Sequence, residues 1–87
     1  MANKPNAHFV YMVRCADETL YTGYARDVQK RLLEHNGEAK VAGAKYTRPR
    51  RPVVLVYSEE YSTRSQALQR EYAIKSMSRK EKEQLIS

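Results

Sequence analysis

A single cysteine in 87 residues excludes an internal disulfide and any zinc site built from several cysteines. Cys15 itself reads as a small buried strand residue rather than a nucleophile. No apolar run approaches the roughly 20 residues that a membrane-spanning helix requires; the longest, Phe9 to Val13 and Val53 to Tyr57, fall far short. The opening residues Met1-Ala2-Asn3-Lys4-Pro5-Asn6 lack the apolar centre of a signal peptide, so a cytoplasmic protein of bacterial type is expected. Internal repeats and low-complexity segments are also missing. Acidic residues are absent from one particular stretch: Lys40, Lys45, Arg48, Arg50 and Arg51 follow one another with no carboxylate between them.

What is present suits one small folded domain. A chain of this length buries only roughly 60–65% of its unfolded surface, and its 41% hydrophobic content falls in well-spaced runs. Sixteen Lys and Arg against ten Asp and Glu leave a net charge of +6. Charge alone reads equally as a solubilising surface or as a partner for polyanions. The acid-free stretch adds Tyr46 and Thr47 among its cations, and an aromatic among cations can stack on a base. Lys40, Lys45, Tyr46, Arg48, Arg50 and Arg51 are therefore the expected nucleic-acid contacts.

In chain order, residues 1–7 read as a flexible leader and 8–87 as one domain. Phe9 to Cys15 is a central strand, apolar on both faces. Ala16-Asp17-Glu18-Thr19 is a turn, and Leu20 to Tyr24 a second strand. The connection is too short for a crossover, so this pair is antiparallel. Gly23 permits close backbone approach or a bulge. Asp27 caps a helix from about Val28 to Asn36, with Val28 and Leu32 inward, Lys30 and Glu34 as an outward pair, and Asn36-Gly37 as its stop. Residues 38–52 form a long basic loop. Val53 to Ser58 is a third strand, read as buried on both faces. A helix follows from Ser62 or Thr63 to about Met77, with Thr63 and Gln66 as a capping box. Ser78 and Glu81 form a second box that opens a terminal helix to Ile86. The sum is an α+β fold: a three-stranded antiparallel sheet flanked by helices, in the order β-β-α-β-α-α.

Two features carry chemistry. Arg31 and His35 stand four apart and share a helix face, while Tyr21 ends the strand that feeds the helix. A phenol, a guanidinium and an imidazole thus meet near one strand-to-helix turn, and each can act on a phosphate. On the next long helix, Ala67 and Ile74 flank an inward stripe with Leu68 on its other side, and Glu71 falls between them. A carboxylate there needs a partner or a cation. Three readings stay open: an ion pair with an inward arginine, a metal ligand, or a stripe edge that reaches solvent.

Taken together, Tyr11, Tyr21, Arg31, His35 and Glu71 make the chain resemble a GIY-YIG nuclease domain, in particular its small stand-alone bacterial members. Phe9-Val10-Tyr11 stands where the first triplet belongs and keeps its tyrosine without its glycine and isoleucine. Tyr21-Thr22-Gly23 stands for the second triplet, with Gly23 structural at the site. Arg31, His35 and Glu71 occupy the places of the family's arginine, histidine and metal-binding glutamate. An asparagine found downstream in several members has no counterpart here. The resemblance spans about His8 to Ile86.

The resemblance implies hydrolysis of phosphodiester bonds in nucleic acid, DNA rather than RNA, with a repair or recombination structure as a candidate substrate. It also implies one divalent ion, Mg²⁺ or Mn²⁺, at Glu71. Arg31 would hold the scissile phosphate, and Tyr11, assisted by Tyr21 or His35, would position and deprotonate the attacking water. A phenol with an ordinary pKa near 10 is a poor base at neutral pH, so Arg31 and the ion would have to favour phenolate. The alternative from another class is a non-catalytic nucleic-acid-binding module using the same basic face. A scaffold for a protein partner would need a contiguous apolar patch.

Overall fold

A computed structural model describes residues 7–37 and 48–87 of the chain. It contains three strands, β1 (His8–Arg14), β2 (Leu20–Ala25) and β3 (Val54–Tyr61), and three helices, α1 (Val28–His35), α2 (Arg64–Lys75) and α3 (Arg79–Ile86), in the expected order β-β-α-β-α-α. The strands form one antiparallel sheet in the order β2-β1-β3. β1 is central because it alone is apolar on both faces. Val10 and Met12 are buried on one face, Tyr11 and Val13 on the other.

Each face receives its own helices. Val28 and Leu32 of α1 pack with Tyr11, Val13, Ala25 and Val53. Ala67 and Ile74 of α2 pack with Val10 and Met12, joined by Met77, Leu85 and Ile86. The molecule is therefore three layers deep, with β2 and β3 as the two edge strands of the sheet. No helix among the described residues is long and apolar enough to cross a membrane.

Local signals fix the element ends. The turn after β1 closes with Cys15 N–H on the Thr19 carbonyl at 2.9 Å, and the Asp17 carboxylate accepts from the Thr19 hydroxyl at 2.6 Å. Asp27 caps α1 by accepting from Lys30 N–H at 3.0 Å. Thr63 caps α2 by accepting from Gln66 N–H, while the Gln66 amide oxygen accepts from the Ser62 hydroxyl. Ser78 and Glu81 form a reciprocal capping box at α3.

Three expectations are corrected. β3 is not buried on both faces: it is an edge strand, it runs on to Tyr61, and Val54 is 61% exposed. A β-branched run looks the same in a central or an edge strand. Glu34 is not an outward partner of Lys30; it is buried and pairs with Arg31 at 2.7 Å. Leu68 does not flank a buried stripe but is 37% exposed. α2 buries only the narrow line through Ala67 and Ile74, where the small Ala67 lets the helix lie close to the sheet.

Candidate active site around Tyr11 and His35

Tyr11 pairs with Gly23 across the β1–β2 ladder. Its side chain packs against that glycine: a Cβ added at Gly23 would stand 2.5 Å from the Tyr11 hydroxyl. The approach is close and the ladder runs on unbroken through this pair. Without a side chain in the way, the buried Tyr11 side chain lies directly against the Gly23 backbone, and its hydroxyl stays buried.

There the hydroxyl meets His35. Nε2 of His35 lies 2.7 Å from the Tyr11 oxygen, in a hydrogen bond whose direction follows the imidazole tautomer. The His35 ring is fully buried and receives Tyr21 edge-on, centroids 5.2 Å apart. The backbone behind it is fixed from the far side. Nε of Arg51 donates to the His35 carbonyl at 2.5 Å, and the Asn36 side chain bonds both the N–H and the carbonyl of Val53, at 2.7 and 3.0 Å. Gly37, at φ 76°, leaves room for the Arg51 guanidinium against the helix end.

Arg31 completes the first half of the site. Its guanidinium donates to Glu34 at 2.7 Å. Burial opposes its charge, but its interactions with Glu34 and with Tyr11 outweigh that and raise its pKa. Glu34 is the residue that sequence reasoning missed. The signal was its i,i+3 spacing from Arg31, which competed with an equally good i,i+4 spacing from Lys30.

The same surroundings tune the two titratable rings. Burial, and then Tyr21, push the Tyr11 phenol up to about 12; Arg31 pulls it down and the Glu71 charge raises it. The expected drift of Tyr11 toward phenolate is thus reversed in the protein alone. His35 moves the other way: burial, and then Arg31, lower it to about 4. Both groups are neutral at physiological pH.

Glu71 stands on α2, which packs on the opposite face of the sheet, and its charge raises the Tyr11 pKa. Its side chain is 17% exposed and pairs with Lys75 of the same helix at 3.2 Å. No inward arginine is its partner among the described residues. Those residues contain no group of three or more His, Cys, Asp or Glu that could hold a metal. The Glu71 carboxylate is by itself a hard oxygen donor. It fits a hydrated divalent ion that takes its other ligands from water and phosphate.

The basic residues divide. Lys40, Lys45 and Tyr46 lie outside the described residues. Arg48 begins a 3₁₀ turn that ends at Arg50. Arg50 pairs with Asp17 at 3.1 Å, and its carbonyl accepts from Ala16 N–H. Arg51 is engaged at the end of α1, as described above. Tyr11, Tyr21, Arg31 and His35 therefore come together as one group, and the charge of Glu71 acts on its Tyr11. Arg50 and Arg51 have protein partners.

A family model for the GIY-YIG catalytic domain matches residues 7–84. The chain belongs to the GIY-YIG family. Relatives within it are UPF0213 proteins. One from Staphylococcus saprophyticus is 55% identical over 80 residues, covering 92% of this chain and 94% of that protein. One from Staphylococcus aureus is 56% identical over 81 residues, covering 93% and 95%. Two solution NMR structures share the fold. A UPF0213 protein from Bacillus halodurans is 42% identical, with TM-score 0.58 and coverage of 92% of this chain and 82% of that one. A protein from E. faecalis is 44% identical, with TM-score 0.63 and coverage of 97% and 85%. Membership in this nuclease superfamily implies a nucleic-acid substrate for the GIY-YIG chain.

Proposed function

We propose that this GIY-YIG protein is a divalent-metal-dependent endonuclease that hydrolyses phosphodiester bonds in DNA, and that Tyr11, Tyr21, Arg31, His35 and Glu71 form its catalytic site. The observation that supports the reading is the buried Tyr11 hydroxyl, which is hydrogen-bonded to Nε2 of His35 and acted on by the charges of Arg31 and Glu71.

Arg31 holds the scissile phosphate through its bidentate, permanently charged fork. Its bond to Glu34 keeps the guanidinium aimed at the site while leaving other donors for the phosphate. Tyr11 positions the attacking water. As the water's proton moves to the Tyr11 oxygen, the Tyr11 proton moves to Nε2 of His35. The neutral imidazole has a lone pair for it, so a free phenolate is never required. A phosphate anion on Arg31 offsets the positive charge that depresses His35 and so makes His35 a better acceptor once substrate is bound. Tyr21, edge-on to the imidazole, keeps the ring in place. Glu71 would hold Mg²⁺ or Mn²⁺, which when bound neutralises charge on the phosphate and the leaving oxygen.

The test is plasmid nicking with Mg²⁺, with Mn²⁺ and with EDTA. The wild type should cut only with metal, and Arg31→Ala and Glu71→Ala should each lose at least about 100-fold while their circular dichroism stays native. Cutting by both variants at the wild-type rate would assign the activity elsewhere. Salt-sensitive binding that survives Glu71→Ala, with no cleavage in any metal, would favour the non-catalytic binding module.

A further inference from the structure

A second cationic cluster lies at the end of β2, outside the group around Tyr11. The Tyr24 hydroxyl is 2.8 Å from Nδ1 of His8, and the two rings stack with centroids 6.0 Å apart. The Arg64 guanidinium, at the first turn of α2, stands 5.8 Å from the Tyr24 ring centroid. Arg26 follows two residues after Tyr24 and is anchored through Nε to the Ala7 carbonyl at 2.6 Å. Burial, and then the charges of Arg26 and Arg64, hold the His8 imidazole below its usual range. Both guanidiniums therefore converge on one small region. Among the described residues, no carboxylate pairs with Arg64 or with Lys30. Positive charge gathered this way repels itself and favours an anion.

The cluster is continuous with the candidate active site. Tyr24, Arg26, Lys30 and Arg31 line a single cleft of about 350 Å³. Its two acids are already engaged, Asp27 in capping α1 and Glu34 on Arg31. Beyond Arg64, the surface of α2 forms a shallow groove with Leu68 and Tyr72, and the Tyr72 ring is 76% exposed. Three cations, Arg31, Lys30 and Arg26, are thus followed by Tyr24, Arg64 and the exposed Tyr72. That mixture of cations and aromatics suits a strand of nucleic acid, whose phosphates need cations and whose bases offer flat faces for stacking. It does not suit an apolar protein surface.

We propose that Arg26 and Arg64, arranged about Tyr24, form a second phosphate subsite that grips the nucleic-acid strand beside the phosphate on Arg31, with Tyr72 stacking on a base beyond it. The proposal rests on the nuclease reading for the strand's position at Arg31. The subsite holds the strand in place and takes no part in bond cleavage.

Its test is fluorescence anisotropy with a fluorescein-labelled 12-nucleotide DNA strand and its duplex, in EDTA, across a salt series. Arg64→Gln should weaken binding to at least one probe about 5-fold or more and make the salt slope shallower by about one. Arg64→Lys should restore much of the loss. Tyr72→Ala should weaken binding by about 5-fold or more with the salt slope unchanged. Wild-type affinity and slope in both Arg64→Gln and Tyr72→Ala, or failure of the wild type to bind either probe, would overturn the subsite. If the variants lose binding and the wild type never cleaves in any metal, the subsite stands and the nuclease reading falls. If cleavage is robust and the variants bind normally, the reverse holds.

Discussion

The Tyr11 hydroxyl and Nε2 of His35 lie 2.7 Å apart, although 24 residues separate them in sequence. A Cβ at position 23 would stand 2.5 Å from that hydroxyl, so Gly23 leaves the room it occupies. Because Tyr11 packs against a residue with no side chain, its oxygen meets, in the interior, the imidazole that α1 delivers.

Gly23→Ala should therefore disturb the site without touching any polar group in it. The new methyl would overlap the Tyr11 hydroxyl and ring tip, and the buried tyrosine would have to move. Overpacking of this kind costs about 1–3 kcal/mol, which in a domain of this size lowers Tm by roughly 4–8 °C per kcal/mol. The His35 ring signals in an NMR spectrum should shift with the loss of their Tyr11 partner. An unchanged Tm with unchanged His35 signals would show that the ring does not depend on the glycine.

How far this arrangement is legible in the sequence depends on the range of each interaction. Asp27, Ser78 and Glu81 reveal helix starts because caps act over three residues. Arg31 and His35 reveal a shared face for the same reason. Glu34 does not reveal its partner, since Arg31 and Lys30 are both at helical spacing and only the buried Tyr11 hydroxyl favours Arg31. Val54 does not reveal its exposure, because β-branched residues suit either an edge or a centre. The alternation Tyr57-Ser58-Glu59-Glu60-Tyr61 does place two phenols and a carboxylate on one strand face. It becomes meaningful only when α2 supplies Arg70 opposite them.

That Glu59 cluster should act as a clamp between β3 and α2. Arg70 donates to both carboxylate oxygens, at 2.9 and 3.1 Å, and the hydroxyls of Tyr57 and Tyr61 donate as well. Burial raises the Glu59 pKa, but these hydrogen bonds prevail and take it down to about 2. A carboxylate depressed on folding contributes stability above its unfolded pKa, lost as pH falls toward the folded value. Glu59→Gln should cost about 1–3 kcal/mol at neutral pH and make acid unfolding between about pH 4.5 and 2 less steep. Urea unfolding across that range measures both. Equal stability of variant and wild type at neutral pH would remove the clamp.

His35 should dominate a different pH window. Its folded pKa of about 4 lies below the ordinary 6.5, so the unfolded chain binds a proton that the folded one refuses. Stability is complete above pH 6.5 and falls as pH drops toward 4, by an amount on the order of 3 kcal/mol. His8, also depressed, adds in the same direction, so the comparison needs His35→Gln. That variant should be less stable at pH 7 and should lose most of the slope between pH 6.5 and 4.5. A slope that survives intact would place the titration elsewhere.

If the Tyr11 oxygen takes part in bond cleavage, Tyr11→Phe, which removes only that atom, should abolish it. Single-turnover cleavage of a labelled DNA substrate with Mg²⁺ tests it most directly, with affinity measured in parallel in EDTA. Tyr11→Phe should cleave at a rate at least about 100-fold below wild type, with DNA affinity nearly unchanged and the fold intact. Cleavage by Tyr11→Phe at the wild-type rate would contradict this role of the oxygen.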